Sequence, residues 1–439
     1  MIPRALLWLS AYVVLALIPL GVALVHQPAE ARAFWVELGA MLGFLGLGVL
    51  AVQMLITGRH RWFAPEIGLD NTLQFHRQVG IFAMLLVLAH PVTLILAEPE
   101  NLTYLDPRED ILRAVSLTLV VISVIIVVCT SLWRVTIGLP NEWWRVLHGG
   151  LALFIVIGGL GHALMVDHYT AGAATKGMLA GLVLIPLGFL VDTRLLRPLR
   201  MRRRPWRVAA TQPERGDSTT IRLEPVGHEG LVFAPGQFIW VTLGETPFSL
   251  QQHPFSLASS ATEPQAIAFT AKRLGDFTAT LPSVEPGTRA WIEGPYGAFV
   301  PDSDRAGTIV LIAGGIGITP IMSILRTFAE RGVRTPLWLI YANEDWESAT
   351  FREELDALTN RLPLQLIHVL DSPPEHWSGE TGFVDEELLE RCLPADSKDV
   401  EYFICGPPPL MDVAEKALLS RGASPTRLYS DRFDLYYKE

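Results

Sequence analysis

Six long apolar stretches constrain this chain of 439 residues more than any other feature of its sequence. A helix needs about 20 predominantly apolar residues to cross the hydrocarbon core of a bilayer, and each stretch is about that long. The first half of the sequence therefore predicts a membrane bundle of six transmembrane helices. The predicted spans are residues 5–25, 34–57, 75–97, 111–133, 146–166 and 174–196.

Charges in the loops predict how the helices are oriented. Arginines follow the second and fourth spans, the basic run "RLLRPLRMRRRPWR" follows the sixth, and the loop after the third span is acidic. Cytoplasmic loops carry the excess of Lys and Arg, so we expect a cell-membrane protein with both termini and the whole second half in the cytoplasm. The first span is alternatively a signal peptide, although its apolar run is long for one. Its removal would not change the orientation of the other helices.

The overall charge and the cysteines exclude several classes of protein. The net charge of −10 argues against a nucleic-acid partner. Cys129, Cys392 and Cys405 are the only cysteines, and none forms a CxxC pair. This excludes a disulfide framework and a four-cysteine iron–sulfur cluster within the chain.

The third and fifth spans each contain two histidines, and the spacing is the same in both. His76 and His90 are 14 residues apart, and so are His148 and His162. Fourteen residues make nearly four turns, so both imidazoles of a span lie on one helix face, about 21 Å apart. Both spans are odd-numbered and run parallel, which predicts that His76 is level with His148 and His90 with His162.

Four imidazoles at two matched levels predict two b-type haems, one near each membrane face. A lone helical histidine is more often a hydrogen-bonded buried residue, but intramembrane polar side chains are costly and tend to be functional. Missing thiolates and carboxylates at these levels disfavour zinc or a di-iron carboxylate site, whereas facing imidazoles suit axial ligation of haem. Nearby glycines leave room for a porphyrin or serve ordinary helix packing: Gly80, Gly149, Gly150, Gly158, Gly159 and Gly161.

Two arginines lie close to the histidines in the sequence. Arg77 is next to the inner pair and is interpreted either as a partner of a haem propionate or as a snorkelling arginine of the positive-inside type. Arg113 opens the fourth span on the outer side, where it is a candidate partner of the outer propionates.

After residue 205 the pattern changes to that of an ordinary soluble protein with two further domains. Short strands separated by Gly and Pro turns, such as "GQFIWVTL" and "AIAFTAK", predict a β-barrel over residues 205–303. From residue 306 to 439, strands alternate with helices and predict an α/β domain with a parallel sheet. Residues 1–200 form the predicted six-helix domain. The glycine turn in "TIVLIAGGIGITPIMS" opens the first βα unit, where a helix N-terminus receives phosphate.

Four motifs in this half resemble those of the ferredoxin–NADP reductase-type flavoprotein module. They are "HPFSLAS", "GDFTATL", "GGIGITP" and "CGPPPLM". Joined to six helices with two equally spaced histidine pairs, they make nearly the whole chain resemble the NADPH oxidase/ferric reductase family. The resemblance implies FAD, two haem b groups and NAD(P)H as cofactors.

The resemblance also implies roles for individual residues. Phe255 would pack on the isoalloxazine, Ser256 would hydrogen-bond near its reactive edge, and Cys405 would lie near the nicotinamide. Alternatively, Phe255 is an ordinary core residue of the barrel, and Cys405 is an unreactive buried thiol. The implied FAD contacts are His253, Pro254, Phe255, Ser256, Gly275 and Thr278, and the implied nucleotide contacts are Gly314, Gly315, Gly317, Thr319, Cys405, Gly406, Pro407 and Phe433.

Two features depart from the family pattern. The family places an aromatic residue at or near the C-terminus against the flavin, and here six residues follow Phe433, so Tyr436 and Tyr437 are alternatives. NADPH-preferring members usually carry a basic residue where this chain has Asn343 and Glu344. A carboxylate repels the 2′-phosphate and binds a ribose hydroxyl, which favours NADH. Arg352 is within reach of the phosphate in the sequence and keeps NADPH open as the alternative.

The expected reaction joins a two-electron donor to one-electron carriers. NAD(P)H gives up hydride and haem iron takes single electrons, and FAD between them does both. With both axial positions filled, O₂ would accept an electron at the haem edge, which favours superoxide as the product. Ferric chelates are the alternative acceptor, and the acidic outer loop "AEPENLTYLDPRED" would attract them. A haem-free reductase and an electron donor for an extracytoplasmic redox protein also remain open.

Overall fold

The structure, a computed structural model, describes residues 2–26, 32–56, 69–166, 168–393 and 399–432. These residues divide into two compact units. The first comprises the described residues up to Ile56 and Asn71–Arg197, and the second comprises Leu69, Asp70 and the described residues from Pro198 onward.

The first unit consists of helices. Six of them are long and apolar enough to cross a membrane, which confirms the prediction of six spans. The fifth helix begins several residues before the predicted span, because the helix continues through polar residues that follow Pro140. The helices are α1 Ile2–Val25, α2 Phe34–Ile56, α3 Leu69–Ala97, α4 Ile111–Leu132, α5 Asn141–Val166 and α6 Ala173–Val191, and a π turn (Asp192–Leu196) and the short α7 Arg197–Met201 follow.

Helix α2 lies at the centre of this unit. Its side chains are more buried than those of any other predicted span in the unit, because it packs against four neighbouring helices. An alanine at Gly48 would contact the carbonyl oxygen of Ala16, so α1 and α2 approach backbone to backbone there. The partners that α2 buries include Ala16 of α1, Ala83 and Leu86 of α3, Val156 of α5, and Leu179 and Leu182 of α6.

The second unit begins with an antiparallel sheet of six strands in the order β4-β3-β6-β1-β2-β5. Alternate residues such as Ile221 and Leu223 are buried, as expected for strands with one face on a core. A bridge between Leu257 and Phe269 joins the two edges of the sheet and gives the predicted barrel. Its strands are β1 Trp206–Glu214, β2 Ser218–Pro225, β3 Phe238–Leu243, β4 His253–Ser256, β5 Ile267–Lys272 and β6 Arg289–Tyr296, with helix α8 Asp276–Thr280.

A parallel sheet in the order β10-β9-β8-β7-β11-β12 completes the unit. Its central strands are buried on both faces and read as continuous apolar runs, as is usual for parallel sheets. Helices α9 and α10 cover one face, and α11 and α12 cover the other. The elements are β7 Thr308–Gly314, α9 Ile318–Arg331, β8 Leu337–Asn343, α10 Arg352–Thr359, β9 Leu364–Leu370, β10 Glu380–Thr381, α11 Glu386–Cys392, β11 Val400–Cys405, α12 Pro408–Ser420 and β12 Leu428–Asp431.

Candidate functional site

The four membrane histidines come together as two pairs. The ring centroids of His76 and His148 are 6.1 Å apart, with 67° between the ring planes. The centroids of His90 and His162 are also 6.1 Å apart, with 64° between the planes. Helices α3 and α5 thus present their imidazoles to each other at two levels, with nearly the same geometry at both.

The Nδ1 atoms of both α3 histidines bond to helix α2. In His76, Nδ1 is 2.7 Å from Oε1 of Gln53, and in His90 it is 2.8 Å from the carbonyl oxygen of Gly39. Both acceptors require a proton on Nδ1. A neutral imidazole carries one proton, so Nε2 of each ring is left as the atom with a free lone pair.

Helix α4 supplies the corresponding contact for His148. Its Nδ1 lies 3.2 Å from Oγ of Ser131. The Ser131 hydroxyl donates its own proton to the carbonyl of Val127, at 2.5 Å, so its oxygen lone pairs are available to accept the Nδ1 proton. This contact gives His148 the same tautomer as the two α3 histidines.

Two buried donors near the histidine pairs have no hydrogen-bond partner among the described residues. Nε of Arg113 is one, although the same guanidinium stacks 4.7 Å over the Tyr104 ring and donates to the carbonyl of Thr103. Nε1 of Trp144 is the other, and its indole ring lies 5.1 Å from the His148 ring. Arg77, by contrast, is exposed. Unpaired buried donors are costly, so both sites have room for an acceptor.

Glycines shape the space around the histidines. A Cβ on Gly43 would lie 2.7 Å from Nδ1 of His90, so this position has no room for a side chain. Of the six glycines singled out in the sequence, Gly158 and Gly159 pack against Val120 and Leu47 of other helices. A Cβ on any of the other four would meet nothing within 4 Å: these are Gly80, Gly149, Gly150 and Gly161.

In the barrel, the first two motifs meet through aromatic rings. His253 stacks on Phe277 with centroids 3.8 Å apart, and Phe255 stacks on Phe269 at 4.5 Å. Pro254 pairs with Trp240 in the neighbouring strand. Strand β4, which carries the "HPFS" motif, therefore lies against helix α8, which carries most of "GDFTATL".

Ser256 ends strand β4 with a buried hydroxyl. Its residue is 5% exposed, and Oγ has no hydrogen-bond partner among the described residues. Buried polar atoms in native proteins nearly always have a partner. The hydroxyl is therefore available to a bound group at the end of β4.

The start of α8 combines an ordered turn with open space. The hydroxyl oxygen of Thr278 accepts hydrogen bonds from the backbone N–H groups of Leu274 and Gly275, at 2.9 and 3.0 Å. The same hydroxyl donates to the carbonyl oxygen of Gly275 at 3.0 Å, so Thr278 fixes the turn and its proton is already used. A Cβ on Gly275 would meet nothing within 4 Å, so a bound group can approach the backbone there.

The two nucleotide motifs touch at the carboxyl edge of the parallel sheet. A Cβ on Gly317 would contact the carbonyl oxygen of Cys405, and one on Gly406 would lie 2.9 Å from the nitrogen of Gly314. Pro407 is the nearest side chain to Gly314. Only glycine permits this approach, which brings "GGIGITP" and "CGPPPLM" together at the ends of β7 and β11.

Gly315 and Thr319 connect this turn to its surroundings. Gly315 has a φ of +51° and open space beside its Cα. The Thr319 hydroxyl donates to the carbonyl of Ile316 at 2.8 Å and lies 3.4 Å from the carbonyl of Thr270 in the barrel. Thr270 follows Phe269, on which Phe255 stacks, so β5 links the flavin motif to the nucleotide motif.

Arg352, the basic residue that keeps NADPH open in the sequence, is already engaged. Its guanidinium stacks 4.7 Å over Trp346 and is paired with Glu347 and Glu353, and its side chain is 12% exposed. A hydrogen bond from Arg215 lowers the pKa of Glu353 to about 2, so this carboxylate is charged at neutral pH. Glu344 is exposed.

Three rings that sequence reasoning missed lie at the carboxyl ends of β8 and β9: His368 belongs to β9 itself, whereas Trp346 and Trp377 follow β8 and β9. Trp346 is 5.2 Å from Trp377 and 5.0 Å from His368. Both ring nitrogens of His368 are buried without a partner among the described residues, and burial lowers the pKa of this imidazole. Burial likewise raises the pKa of the neighbouring Tyr341. In α/β sheets, ligands bind at this edge.

The C-terminal aromatic residues lie outside the described residues, so the alternatives Phe433, Tyr436 and Tyr437 stay as predicted. Sequence reasoning also missed Gln53 and Ser131. A lone glutamine in α2 carries no periodic signal that links it to His76 on another helix.

Comparison with known proteins assigns each part of the chain to a described domain. Residues 42–159 match the model of the ferric reductase like transmembrane component. Residues 214–300 match an FAD-binding domain, and residues 311–416 match the oxidoreductase NAD-binding domain.

Curated relatives match about a third of this chain. NADH-cytochrome b5 reductase 1 of Aspergillus fumigatus is 35% identical over 160 residues, which are 35% of this chain and 52% of that protein. The Arabidopsis thaliana protein of the same name is 35% identical over 142 residues, 32% of this chain and 50% of that protein. The chain spans about half the length of the curated relatives it matches.

Among solved structures, the FAD/NAD-binding domain of nitric oxide dioxygenase from Vibrio cholerae is 24% identical, with a TM-score of 0.47. It covers 52% of this chain and 98% of its own. Flavohemoglobin from Malassezia yamatoensis is 16% identical, with a TM-score of 0.49, and covers 92% of this chain and 99% of its own.

Proposed function

The chain has the domain architecture of the NADPH oxidase/ferric reductase family, and we propose that it carries electrons across a membrane by way of two haems. It is a multi-pass oxidoreductase driven by NAD(P)H. In the proposal, electrons pass from cytosolic NAD(P)H to FAD, then through two b-type haems to O₂ on the outer side, which becomes superoxide.

The separation within the two histidine pairs carries this proposal. Two imidazoles on opposite faces of one metal have ring centres about 6 Å apart, from bonds of about 2 Å and about 1 Å from each nitrogen to its ring centre. A tetrahedral ion would bring the same ring centres to about 5 Å. The observed separations are 6.1 Å at both levels. The residues present therefore fit axial ligation of a planar haem.

The tautomers and the open space support the same fit. Nδ1 is engaged in His76, His90 and His148, which leaves Nε2 for iron. Such hydrogen bonds orient metal-bound imidazoles and raise their basicity. The glycines that face open space on α3 and α5 leave room for a porphyrin.

Arg113 and Trp144 are the residues we propose to hold haem carboxylates. Each has a buried donor that lacks a partner among the described residues. A carboxylate accepts strongly from an arginine N–H, and an indole N–H donates to it as well. Arg113 would serve the pair His90 and His162, and Trp144 the pair His76 and His148.

The barrel residues fit a flavin, which supplies the step from hydride to single electrons. Phe255 and the stacked rings of His253 and Phe277 present flat apolar surface, and the free hydroxyl of Ser256 presents a hydrogen-bond donor at the end of β4. Gly275 leaves its backbone open to a diphosphate, while Thr278 holds the turn.

We propose NADH as the preferred donor. Asn343 and Glu344 follow β8, where an NADPH enzyme would present positive charge. Arg352 is committed to Trp346 and to two carboxylates, so it is not available for a 2′-phosphate. Gly315 has open space beside its Cα and would let the nucleotide approach the start of α9, while Gly314 and Gly317 pack closely against the end of β11, where Cys405 lies.

The orientation follows from the loop charges. The arginines after α6, from Arg200 to Arg204, mark the cytoplasmic side by the positive-inside rule. The flavin and nucleotide domains then lie in the cytosol, His76 and His148 form the inner pair, and His90 and His162 form the outer pair. His90 and His162 would hold the outer haem from both sides, so O₂ would take a single electron without binding the iron and would give superoxide.

Purified protein supplemented with haem and FAD tests the proposal in sealed proteoliposomes. NADH added on the side of the soluble domains should bleach the flavin, then reduce two haems under argon, and then form superoxide on the opposite side once O₂ is admitted. NADPH should be the poorer donor.

Three results would overturn parts of this proposal. A reduced flavin without haem reduction would contradict the order of transfer. A protein that binds no haem would identify a reductase for a separate partner. Reduction of ferric chelates with no superoxide would replace O₂ as the acceptor.

A further inference from the structure

Gln53 is a buried polar side chain that contacts the inner histidine pair. It lies in α2 and is 5% exposed. Its Oε1 lies 2.7 Å from Nδ1 of His76, and its Nε2 lies 3.4 Å from the carbonyl oxygen of the same residue. The amide therefore contacts both the side chain and the backbone of one histidine on another helix.

Apolar packing does not explain a glutamine at this position. Its helix neighbours Val52 and Met54 are buried apolar residues, and burying an amide costs free energy unless its hydrogen bonds are made. Both bonds go to His76. Oε1 of Gln53 can only accept, so the contact fixes the proton of His76 on its Nδ1. Nε2 of His76 is thereby turned away from α2.

The described contact of the outer pair is of a different kind. His90 bonds to the carbonyl of Gly39, which belongs to the backbone and does not vary with the side chain. The inner pair bonds to two side chains, Gln53 and Ser131. The strength of the acceptor is thus set by residue type at His76 and by the backbone at His90.

We propose that Gln53 is a positioning residue for His76 and sets the reduction potential of the inner haem, an inference that rests on the proposed function. A stronger acceptor on Nδ1 makes the imidazole a better donor to iron, which favours the ferric state and lowers the potential. A missing acceptor has the opposite effect. The reduction potential of the outer haem should not depend on the side chain at position 53.

The test is a potentiometric titration of both haems in the full-length protein. The titration is monitored by optical spectroscopy and uses no NADH. Gln53→Leu keeps the side-chain size and removes the acceptor, so the inner-haem potential should rise. The expected change in the ferric–ferrous equilibrium is about tenfold, or about 59 mV. Gln53→Glu keeps an oxygen acceptor, so its inner-haem potential should be equal to that of the wild type or lower.

Met54→Leu is the matched control, since it changes a buried neighbour on the same helix and should leave both potentials unchanged. A merely structural role for Gln53 predicts that leucine and glutamate variants shift the potentials in the same direction, or that Met54→Leu has the same effect. Either result would overturn the inference.

Failure of the inference and failure of the proposed function are distinguishable. Two haems with unchanged potentials in Gln53→Leu would refute the inference alone. Wild-type protein without two haems would refute the proposed function. Loss of haem from Gln53→Leu that Gln53→Glu restores would support the positioning role, because such partners typically contribute about 10- to 100-fold to metal affinity.

Discussion

Replacing Ser256 with alanine should have opposite effects on stability and on flavin chemistry. The hydroxyl is buried and has no partner among the described residues. An unsatisfied buried polar group costs about 1–3 kcal/mol. Flavin-free Ser256→Ala protein should therefore be at least as stable as the wild type, with a gain of up to that amount.

With flavin bound, the same substitution removes a hydrogen bond. One such bond is worth about 0.5–1.5 kcal/mol, which corresponds to a loss of about 2- to 13-fold in rate if the bond forms in the transition state. Flavin bleaching by NADH in an anaerobic stopped-flow instrument measures the rate, and thermal unfolding of the flavin-free protein measures stability.

Ser323→Ala is the matched control for this experiment. Ser323 lies in α9, is fully buried, and also has an Oγ without a partner among the described residues. Its replacement should raise stability in the same way and leave the rate unchanged. A Ser256→Ala protein that is destabilised without flavin, or that transfers hydride at the wild-type rate, would refute the reasoning.

Two further predictions concern the membrane helices and the nucleotide domain. Gly43→Ala places a Cβ 2.7 Å from Nδ1 of His90 and should reduce the haem content by about half. Gly21→Ala is the control, because its Cβ meets nothing within 4 Å and the haem content should not change. Equal haem content in the two variants would contradict the packing. Burial lowers the pKa of His368 below its ordinary 6.5, so its neutral form stabilises the fold above that pH and the contribution is lost as the pH falls below it. His368→Phe should flatten the loss of melting temperature between about pH 6.5 and 5, and an unchanged pH profile would contradict this.

The membrane helices and the parallel sheet could be predicted because each produces a long, simple pattern. A bilayer requires about 20 apolar residues per helix, and β7 is an apolar run followed by a glycine turn. Strand β1 was harder to predict, because its alternation holds only over residues 206–209; Ala210 and Thr211 are both half-buried, and Gln212 and Pro213 are both exposed. Strand β4 has only four residues, and three of them are half-buried.

The same contrast holds at the candidate sites. The histidine pairs could be predicted because a spacing of 14 residues fixes one helix face. Gln53 and Ser131 could not, because their significance depends on which helices are neighbours, and loop charge gives only the direction of each helix. The cluster of Trp346, His368 and Trp377 joins residues from three separate segments, which no local pattern connects.

The haem content of the four histidine variants tests the central claim most directly. Wild-type protein should bind two haems per chain, and each alanine variant at His76, His90, His148 or His162 should bind one. Reduced-minus-oxidised spectra should show that His76→Ala and His148→Ala lose the same component, and that His90→Ala and His162→Ala lose the other. A variant that keeps both haems, or a loss that does not follow this pairing, would contradict the account.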